Sequence, residues 1–500
     1  MITWLPWLLT LQVITVHSVT QPNIVIMVAD DLGWGDVPWH DALTIAPTLN
    51  SLAETGIILD RHYVQSTCTP TRAALMTGKY PSRLGLNHGN IYSNEPYGLM
   101  ANETLIPNYM SELGYSCHAV GKWHLGFCSW DLTPVKRGFD SFYGFYNGQE
   151  SYYNKTTHNG FDFRLDTPGD NGTVNSEVLW SAKSTYSTIL YANRAAKVVH
   201  DHNQSKPLFL YLAMQSVHGP NEFLEKHYQM YKGIELNCKR RRFLSMVTAM
   251  DDAAEVVVKA LKQSGMWENT IFIFFSDNGG AVGSKGIGQV NYPLRGGKAS
   301  YWEGGIRSSS FIHSPLIPVG LYNREMLHIT DWLPTLTHLA ACGPEPTNHE
   351  CTGPDLGDID GVNQWDAIIG AAKSNRAEFL VNIDPISKNS ALRWGPWKLY
   401  HGNPGISGWK PPPRVNRDLY EDQNYQYYFQ GPHSIMLFDV EADPAEKNEV
   451  SEANPDIATT MLKRLNFYQN RTIPPRKLNK DPASHPALFG GVWTPWLGSC

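Results

Sequence analysis

Four short apolar runs in this chain end the same way, in residues that carry charge or lone pairs. Asn23–Ala29 runs into Asp30-Asp31, and 115–120 into Gly121-Lys122-Trp123-His124. Likewise 208–214 runs into Gln215-Ser216-Val217-His218, and 271–275 into Ser276-Asp277-Asn278-Gly279-Gly280. Runs of this length, rich in Ile, Val, Leu and Phe, suit buried strands. Between them the apolar period changes. Phe243, Val247, Met250, Val257 and Leu261 recur at helical spacing across 241–263, which stops at Gly265. Segments 186–200 and 107–113 also read as helices. Strands alternating with helices predict an α/β fold with a largely parallel central sheet. In open sheets of this kind ligands bind outside the carboxyl ends of strands. All four polar clusters fall there, so the pattern alone predicts a site.

The character of the chain changes after about residue 375. Residues 391–400 read as one aromatic-rich strand, 411–413 (three prolines) as a loop, 436–440 as a short strand and 455–470 as a helix. A smaller α+β domain over 376–500, packed on a catalytic domain over 19–375, is expected. With 500 residues there is ample chain for both. Net charge is −6 with no long charged tail, so nothing points to a nucleic acid partner. The basic run Lys239-Arg240-Arg241-Arg242 reads as the solvated end of a helix.

The clusters have a chemistry. Asp30, Asp31 and Asp277 offer carboxylates and Asn278 an amide oxygen. Hard oxygen donors suit Ca²⁺ or Mg²⁺ and not zinc. One acidic pair could equally cap a helix; two pairs, each directly after a strand, favour a metal. Cys68 stands just before a predicted helix over 69–77, whose N-terminus favours negative charge. Arg72 follows on the same helix face, where its guanidinium can hold an anion near position 68. Singly, Lys122, His124, His218 and Lys298 are most simply surface lysines or core histidines. As a set at strand ends they make a cationic, proton-transferring pocket around the metal.

Cys68-Thr69-Pro70-Thr71-Arg72 also matches the Cys-X-Pro-X-Arg signature of sulfatases. With "VADDLGWGDV", "CTPTRAALMTGKY", "GYSCHAVGKWHLG", "RGFDSFYGF", "PLFLYLAMQSVHGP", "FSDNGG", "NYPLRGGKASYWEGGIR", "HITDWLPTL" and "WKLYHGNPG" in this order, the chain resembles the sulfatase family from Asn23 into its C-terminal part. Within the family the likeness is greatest to the arylsulfatase B (N-acetylgalactosamine-4-sulfatase) group. The resemblance implies an alkaline-phosphatase-like fold, a large mixed, mostly parallel sheet flanked by helices with a smaller C-terminal α+β domain. It implies that Cys68 is oxidised to formylglycine by a formylglycine-generating enzyme. One Ca²⁺ per chain would be held by Asp30, Asp31, Asp277, Asn278 and the modified Cys68. Arg72 and Lys122 would steady the aldehyde hydrate, whose hydroxyl attacks sulfur. His124 would take the proton of the second hydroxyl as sulfate is expelled. His218 and Lys298 would bind the sulfate and assist the leaving oxygen.

The implied substrate is the 4-sulfate of N-acetylgalactosamine in chondroitin or dermatan sulfate, with another small or dietary sulfate ester as the alternative. The rim segments 151–180 and 401–430 depart from the family pattern, and so do the cysteines. Two other readings compete. Phosphohydrolases of the same fold use Ser or Thr and usually two zinc ions with extra histidines, which Cys68 and the oxygen-rich set oppose. A non-catalytic sulfated-glycan-binding protein is opposed by the intact catalytic set.

Residues 1–18 hold an apolar stretch that reads as a secretory signal ending near Ser18. No later run is long and apolar enough for a membrane span. Sequons at Asn102, Asn154, Asn171, Asn203 and Asn470 fit the secretory route, toward the lysosome or the cell exterior. Setting Cys68 aside leaves Cys117, Cys128, Cys238, Cys342, Cys351 and Cys500, enough for up to three disulfides. Cys342 and Cys351 flank a Gly/Pro-rich loop and are the expected pair; the others stay unassigned.

Overall fold

The computed structural model describes residues 21–283, 286–346, 351–409 and 435–500. The signal segment 1–18 and the triple-proline loop 411–413 lie outside the described residues. Five adjacent strands form the parallel heart of a ten-stranded sheet: Thr270–Ser276, Asn23–Ala29, Leu208–Ala213, Ser116–Lys122 and Ser141–Phe145, in that spatial order. Antiparallel pairings appear only outside this block, where Phe311–His313 and Arg164–Pro168 join its two sides.

The apolar runs form strands because both faces of the sheet are covered. Along Asn23–Ala29 the side chains alternate between two cores, as period-two geometry requires. Ile24, Ile26 and Val28 join one cluster with Leu75 and Met76 of the Cys68–Thr77 helix and Trp332 and Leu336 of the Trp332–Cys342 helix. Val25, Met27 and Ala29 join the other, with Phe243, Val247 and Met250 of the Cys238–Gln263 helix. That helix starts where Asn237 caps it, its side chain accepting from Arg240 N at 2.8 Å.

Two expectations fail here. Arg240 is not solvated: it is 1 % exposed and ion-paired with the fully buried Asp36. A guanidinium can be buried when its donors are met, and this one also reaches the carbonyls of Gly35 and Gly288 at 3.0 Å each. Nor is 391–400 a single strand. It is a hairpin of Asn389–Trp394 and Trp397–His401, broken at Gly395, whose φ of +51° turns the chain.

Those two strands lie in a four-stranded antiparallel sheet with Glu378–Asp384 and Ile435–Asp439. The Pro455–Gln469 helix packs on it through Ala458, Met461 and Leu465. The chain then leaves this second sheet. Cys500 is disulfide-bonded to Cys128, and Trp493 N donates to Phe161 O at 2.9 Å. The last residues of 376–500 therefore lie against the large sheet. Cys342–Cys351 forms the expected disulfide, while Cys117 is a buried thiol and Cys238 an exposed one. The asparagines of all five sequons are exposed. No helix of the described residues is long and apolar enough to cross a membrane.

Candidate active site

Four neighbouring parallel strands end at one place, and the polar clusters meet there. Asp30 and Asp31 follow the Asn23–Ala29 strand and Asp277 and Asn278 follow Thr270–Ser276. Lys122 and His124 come from the end of Ser116–Lys122, and His218 from beyond Leu208–Ala213. The Cys68–Thr77 helix points its first turn into the same spot, with Cys68 as its first residue. Lys298 arrives on a loop.

The distances are short. Cys68 Sγ lies 3.4 Å from Asp30 Oδ1 and 3.5 Å from Lys298 Nζ. Lys298 Nζ pairs with Asp31 Oδ1 at 2.5 Å, and His218 Nε2 lies 3.6 Å from Asp31 Oδ2. Lys122 Nζ pairs with Asp30 Oδ2 at 2.6 Å. Arg72 forks onto Asp277 Oδ2 with Nε at 3.1 Å and Nη2 at 2.8 Å, and Nη1 reaches Lys122 O at 3.2 Å. Asn278 joins them through Asp31 at 2.8 Å, and His124 shares a cavity wall with His218, so the predicted catalytic and metal-binding residues are brought together.

Backbone geometry aims two of them. Asp31 and His124 adopt positive φ, 63° and 57°. That region is costly for residues with a Cβ and clusters at functional sites. The turn after Asp277-Asn278 needs glycine. A Cβ on Gly279 would lie 1.8 Å from Gly304 O, so only a bare Cα lets this turn press against the 303–306 segment.

Electrostatics follow from burial and pairing. Burial alone would raise the Asp30 carboxyl, but Lys122, His218 and Arg72 outweigh it and hold it low. Asp31 is held low against burial by Lys298 and His218. Asp277 goes up, driven by burial and then by the neighbouring Asp30 charge. Burial, followed by the Asp277 charge, pushes the Cys68 thiol up, so the sulfur is a thiol and not a thiolate. Burial, then Lys122 and Arg72, drive His124 well below the usual imidazole range, which leaves it neutral and able to accept a proton.

The donor set fits a hard cation. One ligand atom each from Asp30, Asp31, Cys68 and Asp277 lie within 4.8 Å of one another. Asn278 Nδ2 donates to Asp31 Oδ1 at 2.8 Å and to Gly279 O at 2.9 Å, which fixes the amide orientation. Its Oδ1 is then buried with no hydrogen-bond partner. An orphaned acceptor beside three carboxylates is what an oxygen-liganded divalent ion would satisfy.

Sequence reasoning misses the supports. Asn291, 1 % exposed, accepts from Gly280 N at 2.9 Å and donates to Gly280 O at 2.9 Å and Gly296 O at 3.0 Å. It clamps the Asp277-Asn278 turn to the loop that carries Lys298. No spacing or period marks it. His158, from the 151–180 rim, lines a cavity of about 150 Å³ with His124 and His218. A lone histidine in a divergent loop carries no signal.

A family model described as Sulfatase matches residues 22–342. Mouse arylsulfatase J is 40 % identical over 501 aligned residues, spanning 95 % of this chain and 80 % of that protein. Rat N-acetylgalactosamine-6-sulfatase is 30 % identical, over 70 % of this chain and 68 % of its own length. Among solved structures, Ps i-CgsB in complex with k-i-k-neocarrahexaose superposes with a TM-score of 0.75 at 28 % identity, covering 91 % of this chain and 94 % of that one. The PsFucS1 sulfatase from Pseudoalteromonas sp. shares the fold, with a TM-score of 0.71 at 23 % identity over 92 % of each chain.

Proposed function

The chain belongs to the sulfatase family, whose members hydrolyse sulfate esters, and we propose that it does so through residue 68, with a sulfated glycan as substrate. The observation that carries this reading is the meeting of Cys68, three carboxylates and the orphaned Asn278 oxygen at the carboxyl ends of adjacent parallel strands.

Position 68 is read as formylglycine in the active enzyme, where the aldehyde hydrate supplies an oxygen nucleophile and a second hydroxyl for release of sulfate. The surroundings favour that change. A buried, protonated thiol is a poor nucleophile, and its soft sulfur is mismatched to hard oxygen co-ligands. Asp30, Asp31, Asp277 and Asn278 would hold Ca²⁺, which when bound polarises an S–O bond and offsets sulfate charge. Three carboxylates face three fixed cations, Arg72, Lys122 and Lys298. A divalent ion would therefore leave an excess of two positive charges, enough for the single charge of a sulfate ester and the charge that grows on its departing oxygen.

The chain's own residues then divide the work. Lys298 and His218, the two most open members of the cluster, bind the sulfate and assist the departing oxygen. Their side chains are 16 % and 15 % exposed, against 0–1 % for Lys122 and Arg72. Arg72 and Lys122 are locked on Asp277 and Asp30 and hold the position 68 group in a fixed field. Neutral His124 takes the proton that must leave before sulfate is expelled.

The finer substrate reading is the 4-sulfate of N-acetylgalactosamine in chondroitin or dermatan sulfate. The 6-sulfate is its direct competitor, given the N-acetylgalactosamine-6-sulfatase relatives. Entry to the secretory pathway, toward lysosome or exterior, belongs to the same reading. So does modification by a formylglycine-generating enzyme.

The test uses protein purified from a eukaryotic secretory host. The mass of the tryptic peptide containing position 68 is measured, and turnover is assayed on an aryl sulfate beside the aryl phosphate, with and without a chelator. Formylglycine, sulfate-selective turnover and recovery on adding Ca²⁺ are expected. An unmodified cysteine with full turnover would overturn the role of residue 68. Binding of sulfated glycan without turnover would favour a lectin-like protein. Parallel assays on 4- and 6-sulfated N-acetylgalactosamine decide the position.

A further inference from the structure

We infer that Thr69 is a positioning residue: it holds the imidazole of His124 so that Nδ1, and not Nε2, is the nitrogen free to take a proton from the group at position 68. This inference rests on the sulfatase reading above and deepens it by naming what sets the base. Thr69 fills a variable place of the Cys-X-Pro-X-Arg pattern, so the pattern itself gives it no role.

Three hydrogen bonds make a closed loop. Thr69 Oγ1 donates to His124 O at 3.0 Å. The ring of His124 meets Ile91 O through Nε2 at 3.1 Å. Ile91 N then donates back to Thr69 Oγ1 at 3.3 Å. A fourth bond, from Thr69 N to Asn90 Oδ1 at 3.0 Å, ties down the segment that carries Ile91. Thr69, Ile91 and His124 are all buried. Their donors and acceptors cannot turn to water instead, so each bond holds the next.

The loop sets the tautomer. A carbonyl only accepts, so Nε2 carries the hydrogen that meets Ile91 O. In the neutral ring Nδ1 is then the bare nitrogen. It has no hydrogen-bond partner and is shut off from water, so it is a base reserved for a neighbouring group. The charges that act on this ring are Lys122, Arg72 and Asp30, each of which also interacts with residue 68. Two more contacts keep the ring in place. His124 N donates to Tyr146 O at 3.0 Å. On the other side Gly148 leaves room, since a Cβ there would lie 2.6 Å from Nε2.

The step this serves is the release of sulfate. Nδ1 takes the proton of the free hydroxyl on residue 68. The O–H electron pair becomes the C=O bond of the aldehyde, and the C–O bond to sulfate breaks with its pair on the departing group. The earlier attack on sulfur does not draw on this nitrogen. Loss of the clamp should therefore slow the second half of the reaction alone.

Thr69→Val keeps the shape and removes the hydroxyl, and Thr69→Ser keeps the hydroxyl. Formylglycine content is measured by mass first, because residue 69 adjoins the modified position, and rates are referred to it. On an aryl sulfate, Thr69→Val should lower kcat about tenfold to hundredfold, the scale of a misplaced catalytic group. KM should fall with it, leaving kcat/KM within about twofold of wild type. The phenol should appear in a burst, and the peptide containing position 68 should carry an added sulfate by mass. Thr69→Ser should recover most of the lost kcat. One readout needs no turnover. In the unmodified cysteine form, ¹⁵N NMR should show His124 as the Nε2–H tautomer, with its signal assigned by loss in His124→Gln, and Thr69→Val should give a tautomer mixture. Gly148→Ala, which pushes on Nε2, should trap the same sulfated peptide; it decides the matter if Thr69→Val does not fold or is not modified. Full kcat in Thr69→Val, equal losses in kcat and kcat/KM with no trapped sulfate, or an Nδ1–H tautomer in wild type would overturn the role of Thr69 and leave the sulfatase reading standing. A formylglycine-bearing wild type that turns over no sulfate ester would overturn that reading, and this one with it.

Discussion

The strand-end cluster and the cleft between the two sheets solve different problems with the same kinds of residue. At the strand ends nearly every polar group is met. Arg72, Lys122 and Lys298 each have a carboxylate; of the acceptors left over, Asn278 Oδ1 fits an ion and His124 Nδ1 is free to take a proton. In the cleft the amides of Asn87 and Asn382 lace the two walls together, and no Lys or Arg stands among the described lining residues. The first arrangement is a rigid field for chemistry on an anion; the second is a polar seam between the two sheets. The difference lies in how the residues are held. Adjacent parallel strands fix the first set, while the second comes from loops, a helix cap and an irregular strand of another sheet.

Loss of the nucleophile position should separate the two regions most sharply. Cys68→Ala is expected to lower kcat/KM for every sulfate ester, aryl or glycan, by at least about 10⁴-fold, since removing a covalent nucleophile alone removes most of the catalysis. The cleft should keep its structure, read as unchanged hydrogen exchange in Glu378–Asp384 and Asn389–Trp394. If exchange there rose as turnover fell, the two regions would be one cooperative unit.

This contrast also explains what was legible in the sequence. The strand-end residues announce themselves because a strand buried on both faces is a continuous apolar run, and Asp30, Lys122 or Asp277 can only sit where the run stops. The largely parallel sheet, the helices between its strands and the meeting of polar clusters at strand ends follow from that; the strand order does not. The cleft has no such grammar. Thr67, Asn87 and Asn382 lie in three segments with no shared period, and only folding brings them to one cavity. The hairpin at Gly395 had a signal, the Gly395-Pro396 dipeptide, which the aromatic content of 391–400 overrode. Nothing marked Arg240 as different from Arg241 and Arg242 beside it, because its burial depends on Asp36, 204 residues away.

That pair offers a second, smaller test, of how far the rigidity of the strand-end region depends on its supports. Asp36 is fully buried, and burial raises its carboxyl even with Arg240 alongside. It also accepts from Gly33 N at 2.8 Å and Val290 N at 3.0 Å, tying the segment after Asp31 to the segment before Asn291. Arg240→Met should cost about 3–5 kcal/mol of stability, because it strands a buried carboxylate. Adding Asp36→Asn should recover part of that loss in chemical denaturation. A single variant as stable as wild type would mean that the backbone donors alone satisfy Asp36.

The smallest effect is expected at the chain's end, and it probes the rim on the large sheet's side. The Cys128–Cys500 bond spans 372 residues, and a chain-entropy argument alone would give it a large share of the stability. The tail, however, is held locally. Trp496 N and Leu497 N both donate to Cys128 O, at 3.0 and 2.9 Å, and Trp496 Nε1 donates to Asp481 Oδ2 at 2.8 Å. Trp493 packs on Phe127 and donates from Nε1 to Thr157 O at 2.8 Å. Cys500→Ser should therefore fray the terminus rather than unfold the domain, at a cost of at most about 2 kcal/mol, the low end for a native disulfide. Hydrogen exchange should speed up in 490–497 and in 156–164, the rim segment the tail pins, and stay slow in Asn23–Ala29. Aryl sulfate turnover should change less than turnover of a glycan that reaches His158. Equal losses on both substrates would mean that the tail supports the strand-end cluster itself, and the division between a rigid reaction field and an adjustable rim would have to be redrawn at Cys128.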